Sequence, residues 1–345
     1  MRRTGDNESG IIKRPSSTAV RATKMLAICQ RYLVLCLLSL CTAGLVSAAA
    51  APLRVVTSIP PITDLVRQVG GDVIRLQTLV PTGVSSHTFQ PTPGDVQYLT
   101  QADLVILNGL DLELAIEKLM RCCGNPKARL LRLADHTLSQ EEWIFGFSFP
   151  KSQGSPNPHL WLNVDVAMQY VALIREQLCA IDPDHGEQYR GNAARTLGDL
   201  SRLDHCISTA VGTIPPPART LVTYHDAWPY FAKRYGLNVL AVVQPANFAE
   251  PSAREVARIV DQLRQSDVPA IFGSEIFSSK VAEKIAREAG VRYISPLYDE
   301  VLPGARGEPQ HSYYGMMQLN AATIVAGLGG DPTVLEQCLQ DRAER

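Results

Sequence analysis

Apolar residues follow two patterns along this chain. Short runs such as LVILN (104–108), VLAVV (239–243) and AIF (270–272) are mostly apolar without alternation, as is typical of parallel strands buried on both faces. The segments between such runs carry apolar residues every three or four positions, which predicts amphipathic helices. The alternation of these two patterns predicts an α/β fold with mainly parallel sheets.

This alternation occurs twice. The first series has strands predicted at 53–58, 73–80, 103–108 and 129–133, with helices near 61–69, 93–102 and 111–121. The second series follows Pro215-Pro216-Pro217, with strands predicted at 219–224, 238–243, 269–273 and 291–297 and helices at 227–235, 252–266, 279–289 and 312–328. We therefore expect two lobes, each with its own mainly parallel sheet flanked by helices.

A long helix is predicted between the two series. Residues 183–211 have apolar side chains at helical spacing, and Asp182-Pro183 is a suitable helix start. Such a helix would be roughly 43 Å long at 1.5 Å per residue and could run along both lobes as a stiff connector. A surface helix broken at Gly191 or Gly198 is the alternative. The expected organisation is an N-terminal lobe (49–180), a linking helix (181–214) and a C-terminal lobe (215–345).

The N-terminal segment has the layout of a signal peptide. Residues 32–53 contain no charged side chain, basic residues precede them, and Val46 and Ala48 suit a cleavage site after Ala48. This predicts a signal peptide over 1–48, with an unusually long leader or a true start at Met25, and a periplasmic mature protein. An uncleaved membrane anchor and a lipoprotein attached at Cys41 are the alternatives.

Composition and cysteine content limit the classes of function. The chain is 46% hydrophobic, which is too apolar for a disordered protein. Removing the seven Lys/Arg and two Asp/Glu of residues 1–48 changes the formal net charge from −1 to −6, so no basic excess suggests nucleic-acid binding.

Five cysteines remain after residues 1–48 are removed, an odd number, and their disulfide pairing stays open. Without a Cys-x-x-Cys pair, a thiolate zinc site is not expected. Cys179 and Cys206, in helical patterns, are interpreted as buried hydrophobes.

Three histidines and two carboxylates occur in turns that follow apolar segments. His87 follows the second predicted strand, His159 lies in a proline-containing turn, His225 directly follows the fifth strand, and Asp299 and Glu300 follow the last strand. In open α/β sheets, ligands bind beyond the carboxyl ends of the strands. Imidazoles combined with a carboxylate favour zinc over cations that prefer all-oxygen ligands.

Several motifs, in order along the chain, resemble one known family. They are SSHTFQPTP (85–93), NPHLW (157–161), YHDA (224–227), EIFSSK (275–280), PLYDEVL (296–302) and SYYGMM (312–317). Together they are similar to the metal-specific solute-binding proteins of bacterial zinc and manganese ABC importers. The resemblance covers nearly the whole mature chain, and it implies two α/β lobes joined by one long helix, with the ion held in the cleft between them.

The resemblance also implies a ligand set. Carried over by position, His87, His159 and His225 would be nitrogen ligands of one metal ion. The family's aspartate, in a Leu-Tyr-x-Asp-x-Leu pattern, aligns with Glu300, whereas Asp299 would take the role if the turn were one residue shorter, so both stay candidates. Manganese members tend to have a carboxylate at the position of His225, and the histidine here favours Zn²⁺ over Mn²⁺.

The expected function is capture of Zn²⁺ outside the cytoplasm and delivery to an ABC importer permease in the inner membrane, by a monomer without enzymatic activity. Binding should weaken as pH falls through the imidazole range. The alternatives are a manganese-binding importer component, a periplasmic zinc chaperone or adhesin on the same fold, and a zinc hydrolase. A hydrolase would need a general base, for which Asp226, Glu275 and the carboxylate of Asp299 or Glu300 that does not bind metal are the candidates.

Overall fold

The computed structural model describes Gln30 and residues 51–341. Two parallel four-stranded sheets, flanked by helices, confirm the expected α/β architecture. The predicted signal peptide over 1–48 lies outside the described residues, apart from Gln30. No helix within the described part of the chain is both long enough and apolar enough to cross a bilayer.

The two sheets have the same strand order. The first contains β1 (Leu53–Thr57), β2 (Ile74–Thr78), β3 (Leu104–Leu107) and β4 (Arg129–Arg132), in the order β2-β1-β3-β4. The second contains β5 (Thr220–Thr223), β6 (Asn238–Val242), β7 (Ala270–Ser274) and β8 (Arg292–Leu297), in the order β6-β5-β7-β8. Every residue of β3 and of β7 is buried, which explains the apolar runs LVIL in β3 and AIF in β7.

Ten helices lie within residues 51–341 besides short 3-10 turns. They are α1 (Pro60–Gly70), α2 (Pro93–Gln101), α3 (Leu114–Cys123), α4 (Val164–Ile181), α5 (Gly186–Val211), α6 (Pro229–Tyr235), α7 (Ala253–Arg264), α8 (Lys280–Ala289), α9 (Tyr313–Gly327) and α10 (Thr333–Asp341). Local sequence explains several starts. Thr92 with Asp95, and Ser252 with Glu255, form capping boxes at α2 and α7.

The long connector is present as α5, an uninterrupted helix of 26 residues. It contacts α1 and α4 on the side of the first sheet, and α9 and α10 on the side of the second. Pro183–His185 form a separate 3-10 turn before it. Gly191 and Gly198 do not break the helix. Both are exposed, and a Cβ atom at either would meet nothing within 4 Å.

A disulfide joins Cys206 in α5 to Cys338 in α10, with Cα atoms 5.6 Å apart. The interpretation of Cys206 as a buried hydrophobe was right about its burial and missed this bond. Cys122, Cys123 and Cys179 are free thiols, so the odd cysteine count leaves three residues unpaired among the described part of the chain.

Two helix starts were predicted three residues too early. They are the start of α5, predicted at residue 183 and found at Gly186, and the start of α3, predicted at residue 111. Gly109, Leu110 and Asp111 all have positive φ angles, of 91°, 50° and 63°. Three consecutive residues in this region form a turn that a helix cannot include, so α3 begins at Leu114. Helix α10 lies beyond the last predicted helix and was missed.

Candidate metal centre

The predicted site residues lie in loops that follow four of the strands. His87 comes from the loop after β2, His159 from the long segment after β4, His225 from the turn directly after β5, and Asp299 and Glu300 from the turn after β8. Parallel strands direct these loops to one edge of each sheet, and the two edges face each other. Residues distant in sequence therefore meet in one cleft between the lobes.

Their donor atoms converge closely. One nitrogen from each of His87, His159 and His225 and one oxygen of Glu300 all lie within 4.8 Å of one another. The Nε2 atoms of His87 and His159 are 3.2 Å apart, and Nε2 of His87 is 3.9 Å from Oε1 of Glu300. Asp299 lies beside this group, with Oδ2 2.6 Å from Nδ1 of His225 and 4.0 Å from Nε2 of His159.

Several of these atoms are buried without a hydrogen-bond partner in the described part of the chain. They are both ring nitrogens of His225, Oδ2 of Asp299 and Oε1 of Glu300. The 2.6 Å contact between His225 and Asp299 lacks hydrogen-bond geometry, so it leaves both atoms unsatisfied. Buried polar atoms are costly when unpaired. A cation in the cleft would satisfy Oε1 of Glu300 and one ring nitrogen of His225, so these residues fit a divalent metal ion.

His159 is oriented by its neighbours. Its Nδ1 lies 2.8 Å from Oδ1 of Asn157, and Nδ2 of Asn157 donates to the backbone oxygen of Asp226. Because the amide oxygen can only accept, Nδ1 of His159 must carry the proton, and the lone pair of Nε2 faces the cleft. This is the usual arrangement behind a metal-binding histidine.

The turn that carries the two carboxylates is held by Glu275. Its Oε1 accepts hydrogen bonds from the backbone N–H groups of Asp299, Glu300 and Val301, at 2.8, 2.9 and 3.2 Å. Asn320 pairs with both backbone groups of Tyr298, at 2.8 and 2.6 Å. These bonds bend the chain sharply after β8. Asp299 and Glu300 therefore both face the cleft, and do not point to opposite sides as adjacent residues of an extended strand would.

The carboxylate of Glu300 and the backbone of Asp299 also connect the lobes. Oε2 of Glu300 accepts the backbone N–H of Ser86 at 2.5 Å, and the backbone oxygen of Asp299 accepts Nε1 of Trp161 at 2.7 Å. Both donors belong to the first lobe. Asp299 and Glu300 thus hold the two lobes together across the cleft by direct hydrogen bonds.

Aromatic rings surround the histidines. Phe248 stacks on the ring of His87, with centroids 4.6 Å apart and planes at 20°, and it has a positive φ of 58°. Phe149 and Phe277 contact His159 and His225 edge-on, at 5.7 and 5.3 Å. The rings exclude water, which strengthens electrostatic interactions with any ion bound there.

Burial changes the protonation of every group in the site. Desolvation and the nearby His225 lower the pKa of His87 well below its usual value, and desolvation does the same to the pKa of His159. Burial also lowers the pKa of His225, opposed by the charge of Glu300. Desolvation raises the pKa of Asp299 to about 6, and desolvation with the charge of Asp299 raises the pKa of Glu300 to about 8. At neutral pH the imidazoles are therefore neutral and able to bind metal.

Two of the side chains considered as the general base of a hydrolase, Asp226 and Glu275, already accept hydrogen bonds from backbone N–H groups. Oδ2 of Asp226 accepts the backbone N–H of Ser148 at 2.7 Å, and Glu275 holds the turn described above. Asn157 and Phe248 were not assigned to the site from sequence, and Glu275 was considered only as a general base and not as the residue that holds the turn. Asn157 precedes His159 by two residues in the NPHLW motif, and Glu275 begins the EIFSSK motif, but neither spacing indicates these hydrogen bonds.

Comparisons with known proteins agree with the fold. The family model described as ZnuA, zinc-uptake complex component A periplasmic, matches residues 55–327. The manganese-binding lipoprotein MntA of Halalkalibacterium halodurans is 30% identical over 276 residues, which cover 80% of this chain and 88% of that protein. The iron-binding protein YfeA of Yersinia pestis is 29% identical over 284 residues, which cover 82% and 88%.

Among solved structures, the periplasmic zinc-binding protein TroA of Treponema pallidum has a TM-score of 0.73 at 28% identity, covering 81% of this chain and 99% of that one. The names of these relatives specify manganese, iron and zinc, so relatedness alone does not select the metal. The family model spans most of the chain, including all five predicted site residues. The chain therefore belongs to the ZnuA family of extracytoplasmic metal-binding components of ABC-type importers, and it is a binding protein and not an enzyme.

Proposed function

We propose that this protein captures Zn²⁺ outside the cytoplasm and delivers it to its permease in the inner membrane. The observation that supports zinc is the donor set: one nitrogen from each of His87, His159 and His225 lies within 4.8 Å of an oxygen of Glu300. Three imidazoles and one carboxylate are a common zinc ligand set, whereas manganese favours oxygen-rich sites. In this proposal Glu300 is the fourth ligand.

Manganese is the second candidate, and one observation favours it. Asp299 adds a second buried carboxylate, with Oδ2 2.6 Å from His225, so the cleft could present more oxygen donors than three histidines suggest. MntA, at 30% identity, is named for manganese. The order of affinities for the two ions distinguishes the candidates.

The purified protein is expected to bind about one zinc ion per chain and to prefer zinc to manganese, because imidazole nitrogen is a better ligand for zinc than for manganese. Metal analysis after dialysis would give the stoichiometry, and competition titration with both ions would give the preference. Displacement of zinc by an equal concentration of manganese would reject the zinc assignment in favour of the second candidate.

Zinc affinity is also expected to depend on pH through the carboxylates more than through the imidazoles. Zinc binds next to ionised carboxylates, so bound protons must be released when the metal enters. This applies to Glu300 at pH values below its pKa of about 8, and to Asp299 at pH values below its pKa of about 6. Each displaced proton weakens binding by about tenfold per pH unit. Because burial lowers the pKa values of the histidines, their competition begins only at more acidic pH.

We thus expect an affinity that is flat above pH 8 and falls by roughly a hundredfold between pH 8 and pH 6. Titration with a zinc chelator of known affinity at several pH values would measure this. In the Glu300→Gln variant the dependence over this range should largely disappear. A wild-type affinity constant from pH 8 to 6 would contradict the ionisation of Glu300 on metal binding.

Export through a cleaved signal peptide over 1–48 and a monomeric state belong to the same proposal. Support for export comes from the Cys206–Cys338 disulfide, since such bonds persist mainly in oxidising compartments. N-terminal sequencing of the secreted protein would locate the cleavage, and light scattering would give the oligomeric state.

A further inference from the structure

Two free thiols lie together outside the cleft. Cys122 and Cys123 are the last two residues of α3, and both are exposed. Their Sγ atoms are only 2.7 Å apart. Of the residues the structure describes, the remaining free cysteine is Cys179, in α4. The metal-binding function of the cleft uses none of these sulfurs.

The approach of the two sulfurs is not what a regular helix produces. Neighbouring residues in a helix point in different directions and do not face each other. Here the helix ends directly afterwards, with Gly124 in an extended conformation at φ −71° and ψ 167°. The S–H group of Cys122 also contacts the backbone oxygen of Leu119 at 3.4 Å. The end of the helix thus lets both thiols turn to the same side, open to solvent.

A disulfide between these residues is unfavourable. Unstrained disulfides have Cα atoms about 4.4–6.8 Å apart, whereas consecutive Cα atoms across a trans peptide are about 3.8 Å apart. A metal ion imposes no such limit. Two sulfurs bound tetrahedrally to one ion at about 2.3 Å, the zinc–sulfur distance, lie roughly 3.8 Å apart, and a larger ion such as Cd²⁺ holds them further apart. Rotation of the two exposed side chains must therefore open the present 2.7 Å contact by about 1 Å or more.

We propose that Cys122 and Cys123 together bind one thiophilic metal ion, of the class of Cd²⁺ or Cu⁺, at a site separate from the cleft. Thiolate sulfur selects such soft ions over harder ones. On binding, each thiol releases its proton to solvent and forms one sulfur–metal bond, so no oxidant or reductant is required.

Cadmium titration of the full chain, loaded beforehand with zinc and kept free of reductant, tests this proposal. A sulfur-to-cadmium charge-transfer band in the ultraviolet should rise and saturate at about one equivalent of ion. Histidine and carboxylate ligands give no such band, so cadmium entering the cleft would not produce it. Cys122→Ser and Cys123→Ser should each lose most of the band, whereas the matched control Cys179→Ser should retain it.

His225→Ala separates this site from the cleft, because it should weaken zinc binding while leaving the cadmium band intact. Absence of the band in wild-type protein, its persistence in both serine variants, or its loss in His225→Ala would each overturn the proposal. So would an intact mass of the wild-type protein lower by the two thiol hydrogens, with digestion showing Cys122 and Cys123 joined to each other.

Discussion

Replacing His225 by alanine is expected to lower zinc affinity by about a hundredfold or more. Protein zinc sites bind with about 10–16 kcal/mol, so one of four ligands contributes roughly 3 kcal/mol, which is about a hundredfold in affinity. His225 is 2% exposed, and both of its ring nitrogens lack hydrogen-bond partners among residues 51–341. Its removal should therefore weaken metal binding without removing bonds that stabilise the fold. Calorimetric titration with zinc would measure the change.

His205→Ala is the matched control for this variant. His205 is an exposed residue of α5, so its loss should leave zinc affinity unchanged, and the same is expected of His185→Ala. If the control and His225→Ala reduced affinity equally, the effect would be a general one on folding. Circular dichroism of each metal-free variant would detect such a change.

Glu300→Gln is expected to lower zinc affinity by about a hundredfold, and Asp299→Asn by less, about 10–100-fold. Oε2 of Glu300 accepts the N–H of Ser86 at 2.5 Å. In the glutamine variant the amide oxygen should keep that bond, which directs the NH₂ group toward the ion in place of Oε1. Asp299 is not among the four residues whose donor atoms converge, and its charge lies beside His225, with Oδ2 2.6 Å from Nδ1. A residue beside the ligands contributes less than a ligand itself.

Measuring both variants by the same zinc titration decides between the two carboxylates. A larger loss in Asp299→Asn would reverse the assignment and make Asp299 the fourth ligand. If neither variant lost more than a few-fold, the three histidines alone would dominate the affinity. Both substitutions keep side-chain size, so their melting temperatures without metal should stay close to that of the wild type.

Much of the fold could be predicted because the relevant patterns are local. The apolar runs of β3 and β7 identify strands buried on both faces, and the helical spacing before residue 211 identifies α5 despite Gly191 and Gly198. Local patterns did not reveal that α3 begins at Leu114, because the positive φ angle of Leu110 is not indicated by its residue type. The pairing of Cys206 with Cys338 depends on tertiary contact, which cysteine spacing does not specify.

The residues of the candidate site could be named from the sequence, whereas their geometry could not. Turn positions after strands identified the three histidines and both carboxylates as candidates, and the structure brings all five together. Whether Asp299 and Glu300 share a direction depends on the three hydrogen bonds that Glu275 accepts from a segment 24 to 26 residues away. The protonation of the site likewise depends on burial by Phe149, Phe248 and Phe277, which come from three separate loops.

The disulfide between Cys206 and Cys338 also affects how the second lobe folds. The bond spans 132 residues, and the strands β5 to β8 all lie between its ends. The oxidised chain therefore contains a covalent ring that includes all four strands of the second sheet. Closing so large a ring lowers the entropy of the unfolded chain, which typically stabilises the folded state by about 2–5 kcal/mol. A newly made chain with reduced thiols lacks this contribution, so the second lobe reaches its full stability only in an oxidising environment.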